Sequence, residues 1–480
     1  MTNKVFKNFA TIGIGTFISV AISAITTPII TKLVNPVDYG VYSIFISYSS
    51  IATTILCLGL DQAFVRFFYN EDSKTYKTNL LYKCVCFPIV LTIVVSVLLL
   101  NLVYDNILNF DLSKFETLVL CVYVLLSIIS RFLLLLLRLD FSTKLYSFLT
   151  VIQKITFVLL SLLFLKYFDI KKSTILIVSI TLSFLIQCII SILSKVEYLK
   201  NSCWEKQSLP LKELLKYSYP FIISMSITAI FQSADKFFIQ YYCGIYDVGI
   251  YSAAMNIVHV FTIIQTTFNT LWSPMAIERF TKNPEDKEFH KIGNQIITVI
   301  MFAFGSTLIM FKNIFALLLG GEYIEAIYIL PFLIFNPIMY TISETTVGGL
   351  VFMKKSKLQV FVGTIACITN VIGNIVLIPK FGCKGAAIST GLSYIVFFCA
   401  RTFLSNKYYY IDFELKKFFI ITCITIIYAA INTFFESLLF SFLSYIFLMS
   451  MLFIVYKETI YNIIDIIKKE IRNDQIKSTH

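Results

Sequence analysis

A chain of 480 residues that is 58% hydrophobic and 14% charged, with a mean hydropathy of +0.81, cannot cover itself with polar surface as a soluble protein does. Its apolar runs are continuous and near the length that crosses a hydrocarbon core, which excludes a β-barrel with its alternating strands of about 10 residues. The net charge of +12 does not point to nucleic acid, because Lys and Arg fall in the short connections between apolar runs, where they set topology.

The first span is expected over about 9–31, after Lys4 and Lys7. It is too long for a signal-peptide core and lacks a small-residue cleavage site, so it reads as an uncleaved span. Thr16, Ser19, Ser23 and Thr27 share one of its faces, and Pro28 lies near its far end. The turn Asn35-Pro36 leads into span 2, about 39–64. Spans 3 to 6 come next at about 84–103, 115–136, 145–165 and 173–194. Residues 195–217 form the longest polar connection, and its leucines suggest a short amphipathic helix on the membrane surface. Spans 7 to 12 are expected at about 219–240, 249–272, 292–311, 324–346, 358–378 and 385–404. Two more, about 418–436 and 438–456, have no counterpart in the first half. The charged tail 457–480 carries Ile460, Ile463, Ile464, Ile467 and Ile471 on one face, as an interfacial helix does.

The division this implies is a six-helix lobe over 1–194, a basic linker over 195–217, a second six-helix lobe over 218–405, two additional helices over 406–456 and an amphipathic tail over 457–480. With fourteen spans both termini lie on one side. That side holds 30 of the 40 Lys and Arg residues and the other holds 8, which places both termini in the cytoplasm.

The sequence also repeats. Asp38-Tyr39-Gly40-Val41-Tyr42-Ser43 recurs as Asp247-Val248-Gly249-Ile250-Tyr251-Ser252, 209 residues later. After the first copy, Ser43, Ser47, Ser50, Thr54, Cys57 and Asp61 step along one helical face. After the second, Ser252, Asn256, His259, Thr266 and Thr270 occupy the matching positions, with Ile263 between them. Two polar stripes in one register fit two halves facing a wet cavity; helix packing through small residues is the competing reading.

Charged residues inside spans are the sharper signal, since each needs a cavity or a partner. Lys154 is mid-span 5, Glu344 is late in span 10, Gln232, Asp235 and Lys236 are in span 7, and Asp61, Gln62 and Arg66 close span 2. Arg131 is near enough to the end of span 4 to snorkel. Lys154, Arg66, Asp61, Gln62, Ser47, Asn256, His259, Gln232, Asp235 and Lys236 are the candidate substrate contacts. Asp61, Asp235 and Glu344 are the candidate ion carriers. No nucleotide-binding loop, nucleophile elbow or zinc-protease motif is present, so the chain reads as no enzyme. With three His, and Cys84 and Cys86 as the one close Cys pair, neither a metal site nor another cofactor is expected. Cys243 and Cys383 could both face outward, and whether they pair is open.

Residues 27–69, through Leu33-Val34-Asn35-Pro36-Val37-Asp38-Tyr39-Gly40-Val41-Tyr42-Ser43 and Gly59-Leu60-Asp61-Gln62-Ala63-Phe64-Val65-Arg66-Phe67, resemble the Wzx-type polysaccharide flippases. These form the polysaccharide transport branch of the multidrug/oligosaccharidyl-lipid/polysaccharide exporter superfamily. The resemblance implies an all-α fold of about fourteen transmembrane helices, two pseudo-symmetric six-helix lobes in a MATE-like V, and two further C-terminal helices. It implies alternating access that moves undecaprenyl-diphosphate-linked oligosaccharide from the inner to the outer leaflet of a bacterial cytoplasmic membrane, for capsule, O-antigen or a similar polymer. Lys154, Arg66, Asp61 and Gln62 match the cationic and polar lumen positions. Implied partners are the lipid-linked substrate, the bilayer, a polysaccharide polymerase, glycosyltransferases, and H+ or Na+ as coupling ion, with no nucleic acid. Cation-coupled drug export on the same fold, a peptidoglycan-precursor flippase and a membrane polymerase or ligase remain as alternatives. Span 1 lacks the deep acidic residue that would mark the first, and no large outer loop marks the last.

Overall fold

The computed structural model describes residues 2–105, 112–196, 199 and 209–461. Every regular element among them is helical. Most of the linker and the tail positions Ile463, Ile464, Ile467 and Ile471 lie outside the described residues. The chain divides into two compact units, Met1–Ser252 and Ala253–His480.

In unit 1, helix α1 (Thr2–Leu33) precedes α2 (Pro36–Leu56). Local chemistry fixes the start of α2: the Asn35 side chain accepts from the Asp38 amide at 2.8 Å, and Pro36 stands where an N–H would have no partner anyway. A continuous span 2 is not what forms. Leu58 and Gly59 both adopt left-handed backbone, ending α2 and starting a separate short helix, α3 (Leu60–Phe67). Gly59 is required twice over, because a Cβ there would also lie 3.0 Å from the Ser218 carbonyl oxygen. The break places Asp61 on a different helix from Ser43 and Ser47.

Helices α4 (Lys74–Tyr104), α5 (Lys114–Leu139), α6 (Thr143–Tyr167) and α7 (Lys172–Ser194) come next. Ser113 and Glu116 close a reciprocal capping box at the start of α5. A buried polar seam ties three of these helices together: Ser130 donates to Gln187 at 2.7 Å, Gln187 to the Leu149 carbonyl at 3.1 Å, and Gln153 to Ser183 at 2.9 Å. The surface helix expected near 209–217 is instead the first turns of one long helix, α8 (Leu211–Tyr242), with Leu214 fully buried.

The repeat then shows itself in space. The second copy opens helix α9 (Ile245–Val258), and the two copies cross each other with reciprocal contacts. A Cβ on Gly40 would lie 2.1 Å from the Ile245 oxygen, and one on Gly249 would lie 2.0 Å from the Pro36 oxygen. Pro36 and Ile245 are themselves equivalent positions of the repeat, and so are Ser43 and Ser252, whose hydroxyls meet at 2.6 Å. Each glycine permits a backbone approach that any side chain would prevent.

In unit 2, helices α10 (Phe261–Lys282), α11 (Lys287–Met310) and α12 (Lys312–Leu318) precede a nearly continuous pair, α13 (Ala326–Leu333) and α14 (Phe335–Thr346). A one-turn helix, α15 (Gly348–Phe352), leads to α16 (Ser356–Tyr408). This last is two arms rather than one rod. Gly382 has φ 57°, and Ser389 bonds the Asn370 carbonyl at 2.8 Å, which only a chain that turns back on itself can do. Helices α17 (Leu415–Phe434) and α18 (Leu438–Val455) complete the unit. The described residues hold eleven helices long and apolar enough to cross a membrane, or twelve if a bent pair counts as one span. Fourteen is therefore not reached by that measure, in part because Ser356–Tyr408 counts once.

Candidate functional site

Within unit 1 the structure brings Asp61, Gln62 and Arg131 together. Asp61 lies on α3 and is buried. Arg131, on α5, donates to Asp61 Oδ2 through Nη2 at 2.5 Å and through Nε at 3.0 Å. Gln62 adds a third bond to the same oxygen at 3.1 Å. The other carboxylate oxygen, Oδ1, is buried without a partner among the described residues. Arg131, read from sequence as a snorkelling residue, thus neutralises a carboxylate offered as an ion carrier. Arg66, four residues beyond Gln62, is exposed and lies 6.0 Å from the Phe67 ring.

Lys154 stands apart from that pair. It is the twelfth residue of the 25-residue helix α6. At 1.5 Å per residue it is about 17 Å from one end and about 20 Å from the other, farther than a lysine side chain reaches. It is half-buried and has no hydrogen-bond or ion-pair partner among the described residues. Its neighbour Gln153 turns into the polar seam, while Phe157, one turn on, stacks on Tyr42 of α2 at 5.9 Å. A cation at that depth requires water or an anion.

The stripes resolve into two kinds of surface. In this conformation Ser43 and Ser47 are buried, and Ser47 donates to the Ser43 carbonyl at 3.0 Å. Ser50 is exposed and Thr54 half-exposed. The span 1 hydroxyls bond their own helix, Ser19 to the Gly15 carbonyl and Ser23 to that of Ser19. On α8 Thr228 and Gln232 are exposed, but Asp235 is buried and accepts a 2.5 Å bond from Tyr251. Lys236 beside it is half-buried. Asn256 is half-exposed, and His259 is exposed just past the end of α9.

Unit 2 holds its own buried pair. Glu344, near the end of α14, meets Arg401 of α16 at 2.7 Å, and the same Nη1 donates to Ser343 at 2.7 Å. The guanidinium lies 5.7 Å from the Tyr340 ring and 5.4 Å from the Phe397 ring. By sequence alone Arg401 counts among the topology-setting charges; its place inside a strongly apolar run is the signal that sets it apart. None of the ten described cysteines, Cys243 and Cys383 included, forms a disulfide.

Comparison with known proteins gives these positions a context. The model of the family described as "Polysaccharide biosynthesis protein" matches residues 5–280, more than half of the chain. A curated relative, the probable low-salt glycan biosynthesis flippase Agl15 of Haloferax volcanii, is 25% identical over 189 residues, 38% of this chain. The matched part spans only 40% of that relative's length. Among solved structures, the lipid II flippase MurJ in an inward closed conformation is similar over 94% of this chain and 99% of its own, with a TM-score of 0.70 and 17% identity. An inward-facing multidrug resistance MATE family transporter of the MOP superfamily is similar over 82% of this chain and 94% of its own, with a TM-score of 0.60 and 12% identity. At such identities these two likenesses speak for the fold: a MurJ- and MATE-like, all-helical, multi-pass membrane architecture. With its family model covering both copies of the repeated turn and nearly all of unit 1, the chain belongs to the polysaccharide biosynthesis protein family.

Proposed function

We propose that the protein flips undecaprenyl-diphosphate-linked oligosaccharide from the inner to the outer leaflet of a cytoplasmic membrane by alternating access, for assembly of a surface polysaccharide. The observation that carries this reading is Lys154: a cation at mid-helix depth with no counter-ion among the described residues. A diphosphate leaving water loses hydration worth many kcal/mol, and a fixed, uncompensated cation offsets part of that loss. The polyprenyl tail needs no such help and stays in lipid. With the cell interior negative, outward movement of each anionic charge gains about 2.3 kcal/mol per 100 mV. The membrane potential alone can therefore bias the direction, and a coupled H+ or Na+ is not required by the chemistry. Polymerase and glycosyltransferase partners would act before and after this step.

The test is reconstitution into liposomes with a fluorescent polyprenyl-diphosphate sugar, with quenching applied from outside. Transfer by the native protein and its loss on Lys154→Ala support the reading. No transfer by the folded native protein moves the assignment to drug or ion export on the same scaffold.

A further inference from the structure

Unit 2 contains a polar line that the diphosphate does not explain. Within Ala326–Thr346, an apolar window of 18 residues is 83% buried, the highest share of any candidate span. Its residues that are not buried are Tyr328, Asn336, Tyr340 and Glu344. The last three are spaced by four and form one line along α14. Had this line faced hydrocarbon, it would be aliphatic, because an amide and a carboxylate each lose their water there at a cost of several kcal/mol. It therefore opens on water or a ligand.

The surroundings narrow the ligand. Arg401 is held by Glu344 and Ser343 through Nη1 alone, and its Nε and Nη2 have no partner among the described residues. The Asn336 amide has none among them either. Tyr340 and Phe397 stack at 5.8 Å with planes 8° apart, both half-buried, with the guanidinium beside them. Arg401 is already compensated by Glu344, so the site offers no net charge to a diphosphate. It offers directional donors, a carboxylate acceptor and aromatic surface. Adjacent hydroxyls of a sugar can accept from the guanidinium and donate to the carboxylate, and the C–H face of the ring packs on an aromatic side chain.

We infer that Asn336, Tyr340, Glu344, Phe397 and Arg401 form a saccharide subsite in unit 2, which binds the neutral sugar of the transported glycolipid. This rests on the flippase reading above.

The experiment measures binding to the full-length protein in nanodiscs by native mass spectrometry. The probes are undecaprenyl diphosphate, bare or carrying glucose, galactose or N-acetylglucosamine. The native protein should prefer at least one glycosylated probe over the bare lipid by about tenfold, equivalent to about 1.4 kcal/mol. Phe397→Leu and Asn336→Ala, both at positions that are not fully buried, should each remove most of that preference while leaving bare-lipid affinity within about twofold. Melting temperatures near the native value exclude misfolding as the cause. Equal weakening of bare and glycosylated probes, an untouched preference in both variants, or a native protein that prefers none of the three sugars overturns the subsite. A native protein that binds no undecaprenyl lipid at all overturns the flippase reading itself.

Discussion

The two units each bury an arginine–carboxylate pair but leave opposite ends of it within reach. In unit 1 the Asp61 side chain is 2% exposed and that of Arg131 is 32% exposed. In unit 2 Arg401 is 9% exposed and Glu344 is 17% exposed. Unit 1 thus presents positive ends, Arg131 and the uncompensated Lys154, whereas unit 2 closes its cation behind a carboxylate and two rings. One polar-pair device yields an anion-friendly surface in one unit and a neutral hydrogen-bonding edge in the other. The difference lies in which partner reaches the surface.

The comparison breaks most readily at Arg131. Arg131→Ala leaves Asp61 buried without a cation, which should cost about 3–5 kcal/mol and register as a large fall in the detergent-solubilised melting temperature. Asp61→Ala leaves an arginine that can reach water and should cost clearly less. Equal losses would mean that the carboxylate is not as enclosed as the geometry gives it. In unit 2 the asymmetry should shrink, because both members are more nearly alike in exposure.

The next effect is at the repeat. Gly40→Ala and Gly249→Ala each drive a methyl group into a backbone oxygen, and each should destabilise unit 1 by about 1–3 kcal/mol. Gly363→Ala, where a Cβ meets nothing within 4 Å, is the control and should be neutral or slightly stabilising. A penalty at only one of the two repeat glycines would show that the reciprocal crossing is not shared equally.

Transport offers a further contrast. Lys154→Ala should lower flipping about tenfold, and Lys171→Ala, at the exposed start of α7, should leave it within about twofold, since only the first removes a charge from within the span. Equal effects in the liposome assay would remove the distinction between a buried uncompensated cation and a topological one.

The smallest effect concerns Glu414, outside the spans of unit 2. Hydrogen bonds from Lys291 and then Lys417 hold its carboxyl below the usual carboxylate range. A depressed value means that the contribution to stability is present above the ordinary carboxylate pKa and is lost as pH falls through the folded-state value. Acid titration of the melting temperature should show that decline in the native protein and a shallower one in Glu414→Gln. For a partly exposed group the difference should be on the order of 1 kcal/mol or less.

The sequence was enough for the membrane class, the positions of most helices and the duplication. Continuous apolar runs have one stable answer in lipid, because every backbone group must be bonded within its own segment. The spacing of 209 residues and the small residues Gly40, Ser43, Gly249 and Ser252 were legible as a repeat. Their meaning was not: a serine stripe suits a wet surface and a close helix crossing equally well, and the 2.6 Å contact between Ser43 and Ser252 decides for the crossing in this conformation. The break at Leu58–Gly59 escaped periodicity because one left-handed turn rotates the next helix without interrupting the apolar pattern. Charges inside spans could be found one by one, yet the partners of Asp61 and Glu344 lie 70 and 57 residues away. Composition and period determine which segments are helices in lipid; only packing decides which charges neutralise each other and which, like Lys154, have no partner among the described residues.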